Sequence, residues 1–471
     1  MAVALTTRQD LHRLPAMSRA IKIALIGCGT VGGATATILL NDRALIAERS
    51  GIDIEIGSIY TRDFAHAREL GIPESLFETD LERILADPEI EVVVELIGGT
   101  TDARTIIKRA VAAGKHVVTA NKALLAHHGE ELWAAARTYG VTIGFEASTG
   151  GGIPIIRAII DGLMVNRIDA IYGIVNGTSN YILTRMTQEG TTYDDALSDA
   201  QADGLAEADP SLDVQGTDSA HKLAIMASLA FGLKVDFDTI PVSGIDTLES
   251  IDVKFGQDLG YVVKLLAVAH RTHEGITLWV RPAFISREHP LAWVSGPFNA
   301  VSAYGHATGH TLYYGRGAGG HPTASAVISD ISAIALGTLP AIFNNTGYWQ
   351  DKNLDTRQIN VEETNSRFYI RIMAKDQPGV LAEIARIFGI HEISIASMLQ
   401  PETTEDGEDT LVPIVITTHS CKERDLRAAL KAIDSLTTTD NTSVSIPIAE
   451  EHPEKFGSDV TTSDSRRFEN S

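Results

Sequence analysis

The chain has 471 residues, more than one domain usually holds, and this length predicts two or three domains. Apolar residues make up 44% and charged residues 21%, which indicates packed cores and disfavours a disordered chain. The net charge of −22 disfavours nonspecific binding to nucleic acid, and two cysteines are too few for a disulfide framework or a Cys-rich zinc site. No apolar run reaches the ~18 residues of a spanning helix. We therefore expect a cytoplasmic protein that binds neither nucleic acid nor membranes.

After an expected N-terminal extension at 1–20, short apolar strands alternate with helices. Strands are predicted at 21–26, 52–60, 91–97, 116–120 and 141–145. Helices are predicted at 34–40, 81–85, 101–113 and 130–139. This alternation predicts an α/β fold with a doubly wound parallel (Rossmann) sheet over 21–150, to which residues of about 315–345 would return.

The rest of the chain predicts two further units. Residues 151–314 mix helices, at 193–203 and 217–231, with strands such as 168–175, which indicates an α+β substrate and dimerisation domain. A polar linker is expected at 346–366. Residues 367–449 follow the order βαββαβ, typical of a ferredoxin-like fold, and 450–471 are expected to form a flexible tail.

A Gly-x-Gly-x-x-Gly motif joins the first predicted strand to the first helix. Gly27 permits the tight turn, Gly29 lets the backbone approach a pyrophosphate, and Gly32 lets helix and strand pack closely. The helix N-terminus then faces the phosphates with its dipole. The motif predicts a dinucleotide site, with a glycine-rich turn that binds no nucleotide as the alternative.

The end of the second predicted strand bears on the choice of cofactor. An NAD site would place Asp or Glu there for the ribose hydroxyls, whereas this chain has Arg62. The guanidinium could hold a 2′-phosphate, which favours NADP. Asp63 is close enough to leave use of both cofactors open, and Arg62 could also be an ordinary surface arginine.

Two other segments could bind ligands. Lys122 follows a strand at the carboxyl edge, where open α/β sheets bind ligands, although lysine is ordinarily a surface residue. Glu146 precedes Gly150, Gly151 and Gly152, and carbonyls with a carboxylate are hard oxygen ligands for a cation. A plain hinge between domains would explain the same glycines.

The densest cluster of charged residues lies between 204 and 222. Glu207 and Asp213 precede Asp218 and Lys222, which are four residues apart and share a helix face if a helix begins near 217. A carboxylate beside an ammonium fixes it and can organise a proton relay. The alternative is a solvated ion pair near a helix start.

These motifs together resemble homoserine dehydrogenase over residues of about 21–340. The resemblance is carried by the glycine loop and by 121–122, 146–154, 173–183, 206–210, 213–222, 315–319 and 323–330. The segment Asp376-Gln-Pro-Gly-Val-Leu-Ala-Glu, between a strand and a helix, resembles the effector loop of an ACT domain. Without that resemblance, the C-terminal unit could equally be a ferredoxin-like module that binds no ligand.

The resemblance implies reversible NAD(P)H-dependent reduction of L-aspartate 4-semialdehyde to L-homoserine, in threonine, methionine and isoleucine biosynthesis. Lys222 would donate the proton to the developing alkoxide, and Asp218 would orient it. Glu207 would hold the α-amino group of the substrate with Asp213 nearby, and Lys122 would bind substrate or cofactor.

The resemblance also implies residues for three further ligands. Cofactor contacts would come from Gly27, Gly29, Thr30, Val31, Gly32, Arg62, Thr100, Lys122 and Gly319. A structural sodium or potassium ion would be held by Glu146 and by the backbone of Thr149, Gly151 and Ile153. An effector would lie at Asp376, Gly379 and Val380.

The resemblance further implies a homodimer or homotetramer, inhibited by L-threonine through the ACT domain. Two other functions stay open at this point. One is an amino-acid-sensing regulator whose nucleotide fold is not catalytic. The other is a dehydrogenase of a different amino-acid semialdehyde.

Overall fold

The computed structural model describes residues 19–347, 349, 356–401, 411–440 and 442–453. Nearly all of the expected N-terminal extension and most of the expected tail lie outside the described residues. Contacts divide the chain into two units. Among the described residues, the first unit comprises the chain to Leu124, Glu131–Ala147 and Gly319–Thr346, and the second comprises the remainder.

The first unit is built on a parallel six-stranded sheet. Its strands are β1 (Arg19–Ile26), β2 (Ile52–Tyr60), β3 (Phe77–Glu78), β4 (Ile90–Glu95), β5 (His116–Thr119) and β6 (Ile143–Gly144). The first helices are α1 (Thr30–Asn41), α2 (Arg43–Ser50), α3 (Ala65–Glu69), α4 (Leu81–Ala86), α5 (Asp102–Ala112) and α6 (Lys122–Thr138). The order β3-β2-β1-β4-β5-β6 is that of a Rossmann fold, and the predicted fold class is confirmed.

The prediction for α6 was wrong at its N-terminus, since the helix begins at Lys122 and not at 130. The Asn121 side chain caps it by accepting a hydrogen bond from the Leu124 amide at 3.1 Å. This cap places Lys122 at the first position of the helix, directly after β5.

In the second unit, residues of the predicted substrate domain form antiparallel strands and helices. The strands are β7 (Ile168–Ile174), β8 (Tyr261–Arg271), β9 (Ile276–Ser286), β10 (Phe298–Gly305) and β11 (Gly309–Arg316). The helices are α7 (Ile155–Arg157), α8 (Gly177–Glu189), α9 (Tyr193–Ala202), α10 (Ser211–Val214), α11 (Thr217–Phe231) and α12 (Ser250–Asp258). The strand order is β11-β10-β7-β8-β9.

The chain then contributes two helices to the first unit, α13 (Gly320–Ala335) and α14 (Thr338–Asn345). In the described part of the chain, no single helix is long and apolar enough to cross a membrane. Only taken together would α13 and α14 be long and apolar enough to span a membrane, and their axes are bent by 79° at the junction between them.

The C-terminal part has the predicted βαββαβ order, with one extra short strand. Its strands are β12 (Asn365–Lys375), β13 (Ile395–Leu399), β14 (Leu411–Thr418), β15 (Cys421–Lys422) and β16 (Val444–Ile448). Its helices are α15 (Val380–Ile390) and α16 (Glu423–Ile433). The sheet has the order β16-β12-β14-β13, and buried side chains such as Phe368, Ile384 and Phe388 fill the space under α15 and α16.

This C-terminal sheet is joined to the sheet of the substrate domain. β16 pairs in parallel with β9 at Ile448 and Phe284, and the Ala449 amide donates to the Phe284 carbonyl at 2.8 Å. Part of the expected linker is also ordered against β9, because the Ile276 amide donates to Arg357 O and the Ile359 amide to Ile276 O, both at 2.9 Å. The two sheets therefore form one ten-stranded sheet.

Candidate active site

A buried lysine–aspartate pair lies in the first turns of α11. Lys222 Nζ donates to Asp218 Oδ2 and to the Val175 carbonyl, each at 2.6 Å, and the two side chains are only 9% and 8% exposed. The predicted four-residue spacing thus gives an ion pair on one helix face. It is buried, in contrast to the solvated pair considered as the alternative. An ammonium in this position can stabilise negative charge and deliver a proton.

Asn176 connects the acidic residues of the site, and the sequence did not single it out. Its Nδ2 donates to Asp213 Oδ1 at 2.7 Å and to Asp218 Oδ2 at 2.9 Å. Its Oδ1 accepts from the Ser179 amide and so caps α8. The structure therefore brings Asp213, Asp218 and Lys222 together through one amide. The Asn-Gly-Thr-Ser-Asn run at 176–180 was visible as a motif, but nothing in its spacing indicated which carboxylates it would meet.

The segment before α11 is held by close backbone packing. Gly216 caps the helix with φ +86°, and an added Cβ there would lie 3.1 Å from Val242 and 3.3 Å from Val280. The Ile245 amide donates to the Val214 carbonyl at 2.8 Å. The loop around 242–245 therefore fixes the position of the segment that carries Asp213 and the start of α11.

The other two predicted substrate residues, Glu207 and Lys122, lie in the second and the first unit, respectively. Glu207 lies in an exposed stretch before α10, where its backbone carbonyl accepts from Gln201 Nε2 at 3.2 Å. Lys122 is half-buried in the first unit, beside Asn121, whose Nδ2 donates to the Gly99 carbonyl at 2.6 Å.

The glycine loop of the first unit has the close contacts that its motif predicts. Gly27 has φ +105°, and an added Cβ would lie 2.7 Å from the Leu96 carbonyl oxygen. At Gly32 a Cβ would lie 2.2 Å from the Gly27 carbonyl oxygen, whereas at Gly29 nothing lies within 4 Å. The first and third glycines are thus required by the fold, and the second leaves open space at the N-terminus of α1. Thr30 and Val31 follow in the first turn of that helix.

A cavity of about 500 Å³ lies beside this loop within the first unit. Gly27, Gly29, Arg62, Asp102 and Arg109 are among its lining residues. Arg62 contacts Asp102 in an exposed ion pair. The cavity has the position of a dinucleotide site at the carboxyl ends of β1 and β4, where the strand order reverses.

Two other predicted cofactor residues lie in the same unit. Thr100 is half-buried, in a segment fixed by Glu95, whose Oε1 accepts from the Ile97 amide at 2.9 Å and from the Gly98 amide at 3.0 Å. Gly319, with φ +119°, precedes α13, and an added Cβ on Gly320 would lie 3.1 Å from Thr30 O. Gly319 therefore lies close to the start of α1.

The residues of the predicted cation site are each buried. In the first unit, Glu146 is 3% exposed, and its amide donates to Asp330 Oδ2 at 2.7 Å. In the second, Thr149, Gly151 and Ile153 form a turn in which the Ile153 amide donates to Gly150 O at 2.8 Å. Within the described residues no group of three His, Cys, Asp or Glu side chains could hold a metal.

The predicted effector residues lie at the start of α15. Asp376 is exposed, and its Oδ1 accepts from Gln400 Nε2 at 3.3 Å. Gly379 caps the helix with φ +99°, and the Val380 side chain is buried.

A Rossmann sheet with this glycine loop, together with a buried lysine–aspartate pair, fits a nicotinamide-dependent dehydrogenase. Residues 27–146 match the family model for the homoserine dehydrogenase NAD-binding domain, 154–332 the model for homoserine dehydrogenase, and 368–437 that for the ACT domain. The chain belongs to the homoserine dehydrogenase family. The predicted resemblance and enzyme class are confirmed.

Similar proteins extend over nearly the whole chain. A homoserine dehydrogenase of Pseudomonas aeruginosa is 44% identical and one of Synechocystis 42%, each over 88% of this chain and 96% of the relative. The crystal structure of a homoserine dehydrogenase from Thiobacillus denitrificans is 40% identical, with a TM-score of 0.85 over 92% of this chain and 99% of that one. A hyperthermophilic archaeal homoserine dehydrogenase in complex with NADPH is 28% identical, with a TM-score of 0.56 over 67% of this chain and 98% of that one. The enzyme is an NAD(P)-dependent oxidoreductase that interconverts aspartate semialdehyde and homoserine. This family membership favours that activity over a non-catalytic amino-acid sensor and over a dehydrogenase of another semialdehyde.

Proposed function

We propose that Lys222 is the proton donor of this homoserine dehydrogenase and that Asp218 orients it. The observation that carries the proposal is the buried Lys222–Asp218 pair, whose ammonium is also fixed by the Val175 carbonyl. The bound nicotinamide supplies the hydride. As charge develops on the aldehyde oxygen, the Lys222 ammonium stabilises it and donates a proton. In the reverse direction, neutral Lys222 accepts the proton of the homoserine hydroxyl.

The remaining carboxylates suit the other end of the substrate. We propose that Glu207 binds the α-ammonium group, with Asp213 nearby, and that Lys122 binds substrate or cofactor. Glu207 is exposed and can reach a ligand, while Asp213 is fixed by Asn176. Binding the ammonium far from the reacting carbon orients the aldehyde, which is how positioning lowers the barrier.

Replacement of Lys222 tests the proton-donor role. Lys222→Met should lower kcat by about 10²- to 10⁴-fold, the usual contribution of a general acid, while binding of NADPH stays near normal. Lys234→Met is the matched control, since Lys234 follows the same helix but its side chain is 72% exposed and pairs with Glu130. Near-normal turnover in Lys222→Met would contradict the assignment.

We propose NADP as the preferred cofactor, with NAD as a possible second. The support is Arg62 at the cavity wall, just after β2 ends at Tyr60 without an acidic residue, and the NADPH bound to the archaeal relative. We assign the cofactor contacts to Gly27, Gly29, Thr30, Val31, Gly32, Arg62, Thr100, Lys122 and Gly319. Arg62→Ala should lower kcat/KM for NADPH by about 10- to 100-fold, the size of a lost charged hydrogen bond, and leave that for NADH unchanged.

We further propose a structural sodium or potassium ion, held by Glu146 and the backbone carbonyls of Thr149, Gly151 and Ile153. These are hard oxygen ligands, which fits such a cation. The ion would order the segment between Glu146 and Pro154, where Gly150 and Gly151 have positive φ. It would take no part in the proton transfer.

Regulation by L-threonine through the ACT domain is also a proposal, with Asp376, Gly379 and Val380 as the effector loop. The support is the match to the ACT family, a domain that binds amino acids, and the exposed position of Asp376. We propose a homodimer or homotetramer and a cytoplasmic location. The free state of both cysteines, Cys28 and Cys421, fits a reducing compartment.

A further inference from the structure

An ion pair lies on the wall of the proposed cofactor cavity in the first unit. Arg62 follows the end of β2, and its Nη2 donates to Asp102 Oδ2 at the start of α5. Both residues line the cavity beside Gly27 and Gly29. Among the described residues that line it, Asp102 is the only one with a carboxylate, and that carboxylate contacts the arginine proposed to bind a 2′-phosphate.

The acidic residue of this cavity comes from a different part of the chain than in a typical Rossmann fold. There, an Asp or Glu at the end of the second strand accepts hydrogen bonds from the ribose hydroxyls of NAD. Here the second strand ends at Tyr60 without such a residue, and Asp102 lies 40 residues beyond Arg62 in the sequence. The contact with Arg62 brings the Asp102 carboxylate to the end of β2. Asp102 can therefore supply the acceptor that this strand lacks.

Asp63, the acidic residue next to Arg62 in the sequence, is engaged elsewhere. Its Oδ1 accepts from the Ala65 amide at 2.8 Å, and its backbone carbonyl accepts from Thr61 Oγ1 at 3.1 Å. These contacts fix the turn between β2 and α3, and Asp63 is absent from the cavity lining. The structure therefore favours Asp102 over Asp63 as the acid that bears on the choice of cofactor.

The ion pair can exchange partners readily, because both side chains are in contact with solvent. Arg62 is 85% exposed and Asp102 59% exposed, and ion pairs between exposed groups contribute little to stability. A 2′-phosphate offers Arg62 a doubly charged, bidentate partner, so Arg62 would leave Asp102 for it. The Asp102 charge would then oppose the phosphate. With a ribose hydroxyl in place of the phosphate, Asp102 can accept from the hydroxyl while Arg62 still neutralises it.

We propose that Asp102 is a specificity-determining residue, which favours NAD and limits the preference for NADP that Arg62 confers. The inference rests on the proposed cofactor site and goes beyond it, because it names the residue that would let the enzyme use both cofactors. The competing explanation is an acid in the first turn of α5 that forms a surface ion pair and has no influence on the cofactor.

Binding of two cofactor fragments to the full chain tests the role of Asp102 apart from turnover. The fragments are ADP-ribose and its 2′-phosphate, each titrated by calorimetry. In Asp102→Asn, the affinity for the phosphorylated fragment relative to ADP-ribose should rise by about fivefold or more, because a repelling charge and a competitor for Arg62 are removed together. The ratio of kcat/KM for NADPH to that for NADH should move in the same direction. Asp102→Ser should give the same result if Asp102→Asn folds poorly.

Asp63→Asn is the matched control, since it removes the same charge next to Arg62 from a residue that does not line the cavity. It should change the affinity ratio less than twofold. A larger rise in Asp63→Asn than in Asp102→Asn would overturn the role of Asp102.

Arg62→Ala separates this inference from the proposed cofactor site. If Arg62→Ala weakens binding of the phosphorylated fragment and Asp102→Asn raises the affinity ratio, both proposals are supported. If Arg62→Ala weakens that binding but Asp102→Asn leaves the ratio unchanged, the cofactor site stands and the role of Asp102 is overturned. If neither variant alters the binding of either fragment, the ribose lies elsewhere and both proposals are overturned.

Discussion

Single residues decide how the charges of the active site are arranged. Lys222 Nζ donates hydrogen bonds to the Val175 carbonyl and to Asp218 Oδ2. Asp218 Oδ2 also accepts from Asn176 Nδ2. The lysine and the amide thus meet at one oxygen. On the proposed mechanism, Asn176 would therefore be a positioning residue that acts through Asp218 and Asp213.

Asn176→Asp would add a carboxylate between Asp213 and Asp218. Two effects follow, because the new group cannot donate to either oxygen and because it adds a negative charge beside the Lys222–Asp218 pair. We expect kcat to fall at least tenfold, with KM for NADPH unchanged. On the proposed mechanism, the pH profile for homoserine oxidation should move to higher pH, because the added negative charge lies beside the group that takes up the proton.

Asn166→Asp provides the control for this substitution. Asn166 belongs to the same unit, where its Oδ1 accepts from the Ala307 and Thr308 amides at a turn, so the same chemical change should leave the pH profile unmoved. A kcat loss in Asn176→Asp without any movement of the profile would indicate a merely structural role.

Much of this site could be predicted from the sequence, and the reason is local spacing. Asp218 and Lys222 are one helical turn apart, and the three glycines lie in one loop. Both motifs can therefore be recognised in the sequence without knowledge of the tertiary structure. Asn176 could not be placed, because its partners lie 37 and 42 residues away and meet it only after α8 and α11 pack.

At the scale of elements, the β1–α1 turn contains two glycines that the fold requires and one, Gly29, that leaves open space. An added methyl group at Gly32 would overlap the Gly27 carbonyl oxygen, whereas one at Gly29 meets nothing within 4 Å. Gly32→Ala should therefore lower the unfolding temperature by several degrees. Gly29→Ala should leave it unchanged and weaken NADPH binding by about tenfold or more, since the methyl would occupy the approach to the pyrophosphate. Thermal unfolding and NADPH titration test both, and normal NADPH binding by Gly29→Ala would place the pyrophosphate elsewhere.

A buried lysine joins β8 to α8 and to the loop after residue 293. Lys264 is 2% exposed, and its Nζ donates to Val294 O at 2.5 Å and Asn180 Oδ1 at 3.2 Å. Burial lowers the pKa of Lys264 to about 8, whereas an unfolded chain holds that proton to about pH 10. The unfolded state thus binds more protons between pH 8 and 10, so the free energy of unfolding should rise with pH across this window.

The prediction is a pH-dependent difference between the wild type and Lys264→Met. The free energy of unfolding of the wild type in urea should exceed that of the variant by an amount that grows by about 1 kcal/mol for each pH unit above 8. This difference should stay constant below pH 7. Lys234→Met, which removes an exposed lysine, should show no such slope. A difference that is flat across the window would mean that Lys264 stays charged.

Sequence patterns were weaker at the ends and junctions of elements. The true start of α6 was missed, because a Gly inside the helix and two adjacent histidines disguise its first turns, while the Asn121 cap is a single residue. The union of the ACT sheet with β9 was also missed. It depends on the pairing of Ile448 in β16 with Phe284 in β9. These strands are far apart in the sequence, and a local hydrophobic pattern does not show which strands pair.

At the scale of the whole molecule, the ACT domain and the substrate domain share one sheet and buried charges. Cutting the chain near Asn365 would remove β16 and the ACT partners of two charged residues, Arg281 and Asp252. Such a truncation would change the stability of the substrate domain along with its regulation, so point variants in the full chain test regulation more cleanly. The net charge of −22 does not describe this junction, whose cations and carboxylates are locally paired.

The buried pair of Asp252 on α12 and Arg371 on β12 makes this union testable. Arg371 Nε and Nη2 donate to the Asp252 carboxylate at 2.7 and 3.0 Å, and the two side chains are 6% and 1% exposed. Asp252→Leu alone leaves the buried guanidinium with only the more exposed Glu249 carboxylate, at 2.8 Å, and should destabilise the chain by about 2–4 kcal/mol, somewhat less than loss of a sole partner. Adding Arg371→Met removes this poorly compensated charge, and should restore most of the loss.

The double-mutant cycle is measured by chemical denaturation of the full chain. Glu450→Ala, which breaks the more exposed pair with Arg367, is the control and should cost less than about 1 kcal/mol. Additive losses for Asp252→Leu and Arg371→Met would mean that the two charges are not coupled across the junction. A strong coupling would mean that the Asp252–Arg371 pair contributes to holding the ACT domain on the substrate domain, because removal of either charge leaves the other one buried.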